Sequence, residues 1–477
     1  MQKIIIQYFF ILLTITTLSA CSTTAFNDLF QNYNQQMYQV KQAQQQGNFQ
    51  QAIDVIKPRN KNDNSYILYL LEKARLAFLA DDTTQSQNDF ATAYELIQQA
   101  EQGAKIELSR SVENVTAAIS NDNSLRYDIE LYEQSLLHSY QALNYLAQNN
   151  LSGALVEVRR ANLVQEQALA DNVNSIHQFQ KKMMDQGVSI DNLNSQFPTM
   201  NNAIDNIKNG FQNAFTFYLS GLLYEIAGQK NDAYIDYKKA LEIYPDNSYV
   251  QQDVWRLANT LKMSDDIALL NSNLAQTITE NKNIKKQAQG QVMFIVENGI
   301  VASKQEIAVN LPIYTRQGNM RFYSVALPSY QNYLTEYSPL SLNFQGQHYK
   351  SEEIVRIQSL AAKQLKDKLP EIITRQIVRL LAKEELRQQL ARNNGELGSI
   401  FASIYNMATE KADTRSWSTL PDSIHVLRLT MPIGEQQLML KINGQNQQVK
   451  VSVKPNKVTL VKLTAIGAYN HYQTYNL

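Results

Sequence analysis

The sequence predicts an α+β multidomain chain, in which an N-terminal domain of irregular helical hairpins is followed by a small β domain interrupted by a helical insertion. Three observations predict it. Apolar residues recur at three-and-four spacing from about residue 21 to 290, then at alternate positions through much of 291–477. Gly and Pro are few, 16 and 10 in 477 residues, which leaves long elements uninterrupted. Charge reverses at the same boundary. Residues 22–290 hold 22 Lys and Arg against 30 Asp and Glu, and residues 291–477 hold 21 against 14, so a lobe of −8 precedes one of +7.

The first twenty residues read as an export signal. A lone basic Lys3 precedes an apolar run from Ile4 to Leu18, which ends in Leu18-Ser19-Ala20-Cys21. The run is too short to serve as a permanent span of a bilayer core about 30 Å thick. Small residues before the chain's single cysteine predict cleavage after Ala20 and acylation of Cys21. Lipid burial at about 0.8 kcal/mol per CH₂ would then hold the protein on its membrane. Ser22 in place of Asp is similar to outer-membrane sorting signals, so the expected location is the outer membrane, lipid-anchored and facing the periplasm. No second cysteine exists for a disulfide.

From Cys21 to about Gly290 the expectation is helices with polar breaks such as Gln46-Gly47-Asn48 and Gln148-Asn149-Asn150. The clearest unit is Ala214 to Pro245, which resembles a tetratricopeptide (TPR) repeat. Phe217, Gly221 and Tyr224 supply the bulky, small and aromatic positions of a first helix, and Ala233, Tyr237, Ala240 and the closing Pro245 those of a second; Ser220 departs from the usual Leu or Ile. Small residues at the crossing let the helices approach closely. Weaker copies lie at Leu70, Ala74, Ser86, Phe90 and Ala93, and at Ala142, Tyr145, Ala154 and Ala161. The array is therefore irregular and TPR-like, and its concave face is the expected seat of a peptide or partner protein.

Residues 262–291 lose periodicity and predict a polar linker. Strands are expected around Val292–Val296, Ile307–Leu311, Tyr323–Leu327 and Leu340–Phe344. A helical insertion follows at about 351–411, with Pro370 opening a new helix. Strands return at Leu438–Ile442, Val449–Val453 and Val458–Leu460, the first two joined by the Asn443-Gly444 turn. Across the linker, opposite charge predicts loose electrostatic docking of the two lobes.

Chemistry is sparse. Histidines 138, 177, 348, 425 and 471 are scattered without metal-ligand spacing, and there is no phosphate loop, nucleophile elbow or free thiol. No cofactor, metal or catalytic activity is expected, and an envelope location implies no nucleic-acid partner. One basic run, Arg375, Arg379, Lys383 and Arg387, would form a ridge on one helix for an anionic partner, or simply a solvated face. The Ala412-Asp413-Thr414-Arg415-Ser416-Trp417 run joins the insertion to the returning strands; Asp413, Arg415 and Trp417 read as a helix-to-strand corner fixed by an ion pair and a buried ring.

That run, with Gly221–Pro245, Val292–Leu311 and Leu369–Leu381, resembles a family of uncharacterised tetratricopeptide-containing lipoproteins of Gram-negative bacteria. The resemblance implies the same architecture and a place in envelope assembly, near cell-wall synthesis components. The expected function is a protein-binding adaptor. Alternatives are a binder of wall polymer or anionic lipid through the C-terminal domain, and an unrecognised enzyme.

Overall fold

In the computed structural model, residues 32–108, 122–185, 197–271, 289–314, 320–409 and 411–477 are described, and Cys21 lies outside them. The helices pair across the polar breaks: α1 (Tyr33–Gln45) with α2 (Phe49–Val55), α3 (Tyr66–Leu79) with α4 (Thr83–Leu108), α5 (Leu131–Ala147) with α6 (Leu151–Asp185), and α7 (Ala214–Ile226) with α8 (Lys230–Ile243), followed by α9 (Ser248–Leu261). Each tight connection turns on a left-handed residue: Gly47 (φ 75°), Asp81 (63°), Asn149 (58°) and Gly228 (79°). Asn213 and Asn247 cap α7 and α9 by accepting amide hydrogen bonds from their first turns. Among the described residues, no helix is long and apolar enough to cross a membrane.

The α7–α8 crossing depends on Gly221. A Cβ there would lie 2.7 Å from the Tyr237 ring and 3.1 Å from the Ala233 carbonyl oxygen. Ala233, Tyr237 and Ala240 are wholly buried, Phe217 and Tyr224 nearly so, and Pro245 is exposed just beyond α8.

The C-terminal half is built on β1 (Gln289–Asn298), the centre of a five-stranded sheet. It runs parallel to β10 (Val458–Ile466) and antiparallel to β7 (Ser423–Pro432), with Phe294 level with Val461 and Leu427. The edges are β11 (Tyr469–Asn476) and β6 (Glu352–Arg356). A second sheet has the order β5 (Gln347–Lys350), β4 (Ser341–Phe344), β8 (Gly434–Ile442), β9 (Gln445–Val453), and β2 (Gln305–Tyr314) with β3 (Met320–Ser329) makes a two-stranded ribbon.

Several boundaries differ from the sequence reading. Strand β1 starts at Gln289, within the expected linker, and the start of the expected insertion is β6, so its helix α10 spans Ile357–Thr409. Pro370 lies inside α10 rather than opening a helix, flanked by buried Leu369 and Ile373, whose packing holds the turn that lacks one N–H. Strand β7 was hidden because its first five residues are all buried and so show no alternation. The expected separation of lobes also fails: one apolar cluster includes Leu71, Tyr140 and Phe215 from the helices and Phe294, Leu427 and Leu460 from the sheet. Fixed apolar packing replaces loose electrostatic docking.

Candidate functional site: an outer cleft between two hairpins

The first helix of each central hairpin reaches the sheet or the strands beside it. Arg75 on α3 pairs with Glu297 of β1 at 2.8 Å, and the Tyr140 hydroxyl on α5 donates to the same carboxylate at 2.9 Å. The Tyr218 hydroxyl on α7 donates to Asp253 at 2.7 Å and lies 3.7 Å from the Met293 sulfur. Burial alone would raise the Glu297 carboxyl, but Arg75 and Lys462 hold it below the usual range. From β7, the Arg428 guanidinium donates to the Tyr237 hydroxyl (3.0 Å) and Glu225 (3.0 Å) and pairs with Asp253 (2.9 Å). The face expected to receive a partner is therefore occupied by this chain's own sheet.

The loop that leads into β7 completes that closure. Glu72 accepts the Ser418 amide (2.7 Å), the Ser418 hydroxyl (2.8 Å), the Thr419 amide (2.9 Å) and the Tyr33 hydroxyl (2.9 Å). Glu133 accepts the Trp417 amide (2.9 Å) and the Tyr127 hydroxyl (2.6 Å). Trp417 is 0% exposed, its ring edge-on to Phe90 and Tyr140 at 5.7 and 6.0 Å. Arg415 grips Asp413 through two nitrogens at 2.9 and 2.7 Å and also reaches the carbonyls of Leu125 and Asp122. All three motif residues sit in one structural corner.

The basic run does not form a solvent ridge. Arg379 is 3% exposed and bonds Asp122 at 2.7 Å, and Lys383 is 4% exposed. Among the described side chains of the run only Arg375 stays half open, paired with Glu371 and 3.6 Å from Asp122. The Arg387 side chain lies outside the described residues. Packing of α10 against α6 and β3 leaves Arg379 and Lys383 facing protein, which periodicity alone could not reveal.

A cleft stays open beside the second helices α6 and α8. They are tied by Asn162, which donates to Asp236 (2.7 Å) and to Ser220 (3.0 Å), and by a Lys239–Glu166 pair at 2.7 Å. Beside that tie a cleft of about 320 Å³ opens, lined by Leu169, Ile207, Phe217 and Ile243 and by the carboxamides of Gln165, Asn206, Asn209 and Gln212. Gln165 is 1% exposed; its carbonyl oxygen accepts the Asn213 amide at 2.5 Å, while its Nε2 has no partner among the described residues. Leu163, Leu169 and Ile235 on the same two helices are about half exposed. Sequence reasoning missed this site, although a signal existed: Gln165 interrupts the buried stripe Ala154, Val158, Ala161, Ala168. Among the described residues no cluster of His, Cys, Asp and Glu is placed to hold a metal ion.

The sequence matches no protein-family model and no curated protein. Two solved structures, described as the MamA protein and MamA, are each 11% identical, with TM-scores of 0.28. They cover 52% and 51% of this chain and 95% and 97% of their own. Overlap of that quality carries no argument about shared function.

Proposed function

We propose that this chain is an outer-membrane-anchored periplasmic lipoprotein that acts as a protein-binding adaptor in envelope or cell-wall assembly. The finer reading of its hairpins as an irregular TPR-like array belongs to the same proposal. One observation carries it: the inner helices are spent on the chain's own sheet, whereas the outer side keeps a cleft lined by half-exposed Leu169 together with Ile207, Phe217 and Ile243. Apolar side chains grouped around a cleft favour a protein partner over bulk solvent. The polymer or lipid alternative rested on the α10 ridge, whose central cations are buried, and no observation favours it or catalysis.

In-cell cross-linking and affinity recovery of the membrane-anchored protein tests the reading. Recovery of wall synthases or other envelope proteins is expected, and recovery of glycan alone would overturn it. For the anchor, Cys21→Ser should leave an unprocessed or soluble form that takes up no fatty-acid label; a labelled mutant would refute acylation at Cys21.

A further inference from the structure

We infer that the cleft between α6 and α8 binds a short extended segment of a partner protein, with a main-chain carbonyl on Gln165 Nε2 and an apolar side chain against Leu169, Ile207 and Phe217. This rests on the adaptor reading and names where and how the partner is held. A buried amide N–H without an acceptor is costly, and Gln165 Nε2, on a residue that lines the cleft, has none among the described residues. The cavity, about 320 Å³, sits at the small end of ligand sites, so it suits a side chain and its flanking backbone rather than a folded surface.

The chemistry of the walls selects the occupant. A helical ligand would already have used its carbonyls internally, leaving none for Gln165 within its length. A sugar would want an open aromatic face, but the one ring in the lining, Phe217, already has the Lys239 ammonium 5.3 Å from its centroid. The rim carries Glu166 and Glu242 against Lys208 and Lys239, so no excess charge calls for an ionic ligand. An extended apolar peptide meets each condition. Its recognition would lie on the outer helices, away from the inner face that β1 fills.

The test pans a random linear dodecapeptide library on the full lipidated protein in detergent, then measures synthetic versions of the recovered peptides. Leu169→Glu changes a side chain 54% exposed and should fold, whereas Gln165→Glu keeps the oxygen that accepts the Asn213 amide but places a carboxyl in a buried site, so it is compared above its carboxyl pKa, where it offers no donor, and only with melting unchanged; Leu169→Glu decides the inference where Gln165→Glu does not fold. Recovered peptides should bind each variant about tenfold more weakly or worse than the parent. Failure to recover peptides, equal binding to parent and variants, or binding of an N-acetylglucosamine oligosaccharide that Gln165→Glu abolishes would each overturn the inference. Cross-linking in cells separates the two proposals. If the parent recovers envelope proteins and Leu169→Glu recovers them equally, the adaptor reading stands and the cleft falls; if the parent recovers none, the adaptor reading falls while peptide selection still judges the cleft.

Discussion

Glu133, wholly buried, and Glu225, largely buried, are carboxylates on the first helices of two hairpins, and each holds a segment of the C-terminal half, yet they do so by opposite means. Glu133 meets the Trp417 amide and the Tyr127 hydroxyl, and no ion pair with it is seen among the described residues. Burial first, then the nearby charge of Glu130, pushes its carboxyl up to about 7. Glu225 meets Arg428 and Arg256, and although burial opposes them the two guanidiniums pull its carboxyl down to about 2. Neutral donors fix a loop's direction and register but compensate lost hydration incompletely; cations compensate the charge and leave little freedom to lose a partner.

The largest effect should come from removing the cation. Arg428→Ala leaves Glu225 and Asp253 with Arg256 as their one remaining guanidinium among the described residues and also removes the donor to Tyr237, and should cost about 3 kcal/mol. Urea unfolding that moves by less than about 1 kcal/mol would erase the contrast.

Next comes the pH dependence, where the two carboxylates should diverge. Glu133 is raised, so its favourable contribution is complete below its unfolded pKa of about 4.5 and is lost as pH rises through about 7, on the order of 2–3 kcal/mol. Glu225 is lowered, so its contribution is present above about 4.5 and is lost as pH falls towards about 2. The stability gap between the parent and Glu133→Gln should therefore shrink from pH 5 to pH 8, while that for Glu225→Gln stays level there and collapses only in acid. Parallel profiles for the two variants would refute the assignment.

Gly221→Leu sharpens the same comparison from the apolar side. It must displace Tyr237, whose hydroxyl donates to Glu225 at 3.0 Å and accepts from Arg428, so overpacking should cost about 1–3 kcal/mol and weaken the coupling of Arg428 to Glu225. Additive effects of Gly221→Leu and Arg428→Ala in a double-mutant cycle would argue that the hairpin and the cluster are independent.

Legibility in the sequence followed the same physical division. Amphipathic helices and the β8–β9 hairpin announce themselves, since one face is buried and Asn443 and Gly444 both take the positive φ that their turn needs. Strand β7 does not, because residues buried on both faces carry no period, and β10, buried along its whole length, shows itself only in its first three residues, Val458–Leu460. Glu72 and Arg75 stand in plain view inside an apolar helix, yet their partners lie 346 and 222 residues away, a pairing that local pattern cannot supply. The basic run on α10 misled for the converse reason: spacing places charges on one face but does not say what packs against it. Gln165 was visible as a polar break in a buried stripe, but the cleft beside it needs the 206–212 segment to be placed.

The smallest expected effect concerns salt. A charge of −8 before residue 291 and +7 after it would draw two separate lobes together at low ionic strength and release them at high. Here some of the opposite charges meet inside the protein: Arg75–Glu297 and Arg428–Asp253 have side chains no more than 7% exposed, and the apolar cluster runs continuously across the same boundary. Pairs without water between them are screened weakly, and apolar contact is not screened at all. The radius of gyration of the protein without residues 1–21 should therefore be the same at low and high salt. An expansion in salt would mean that the amide-held and cation-held junctions open together and that charge, rather than the shared core, joins the two halves.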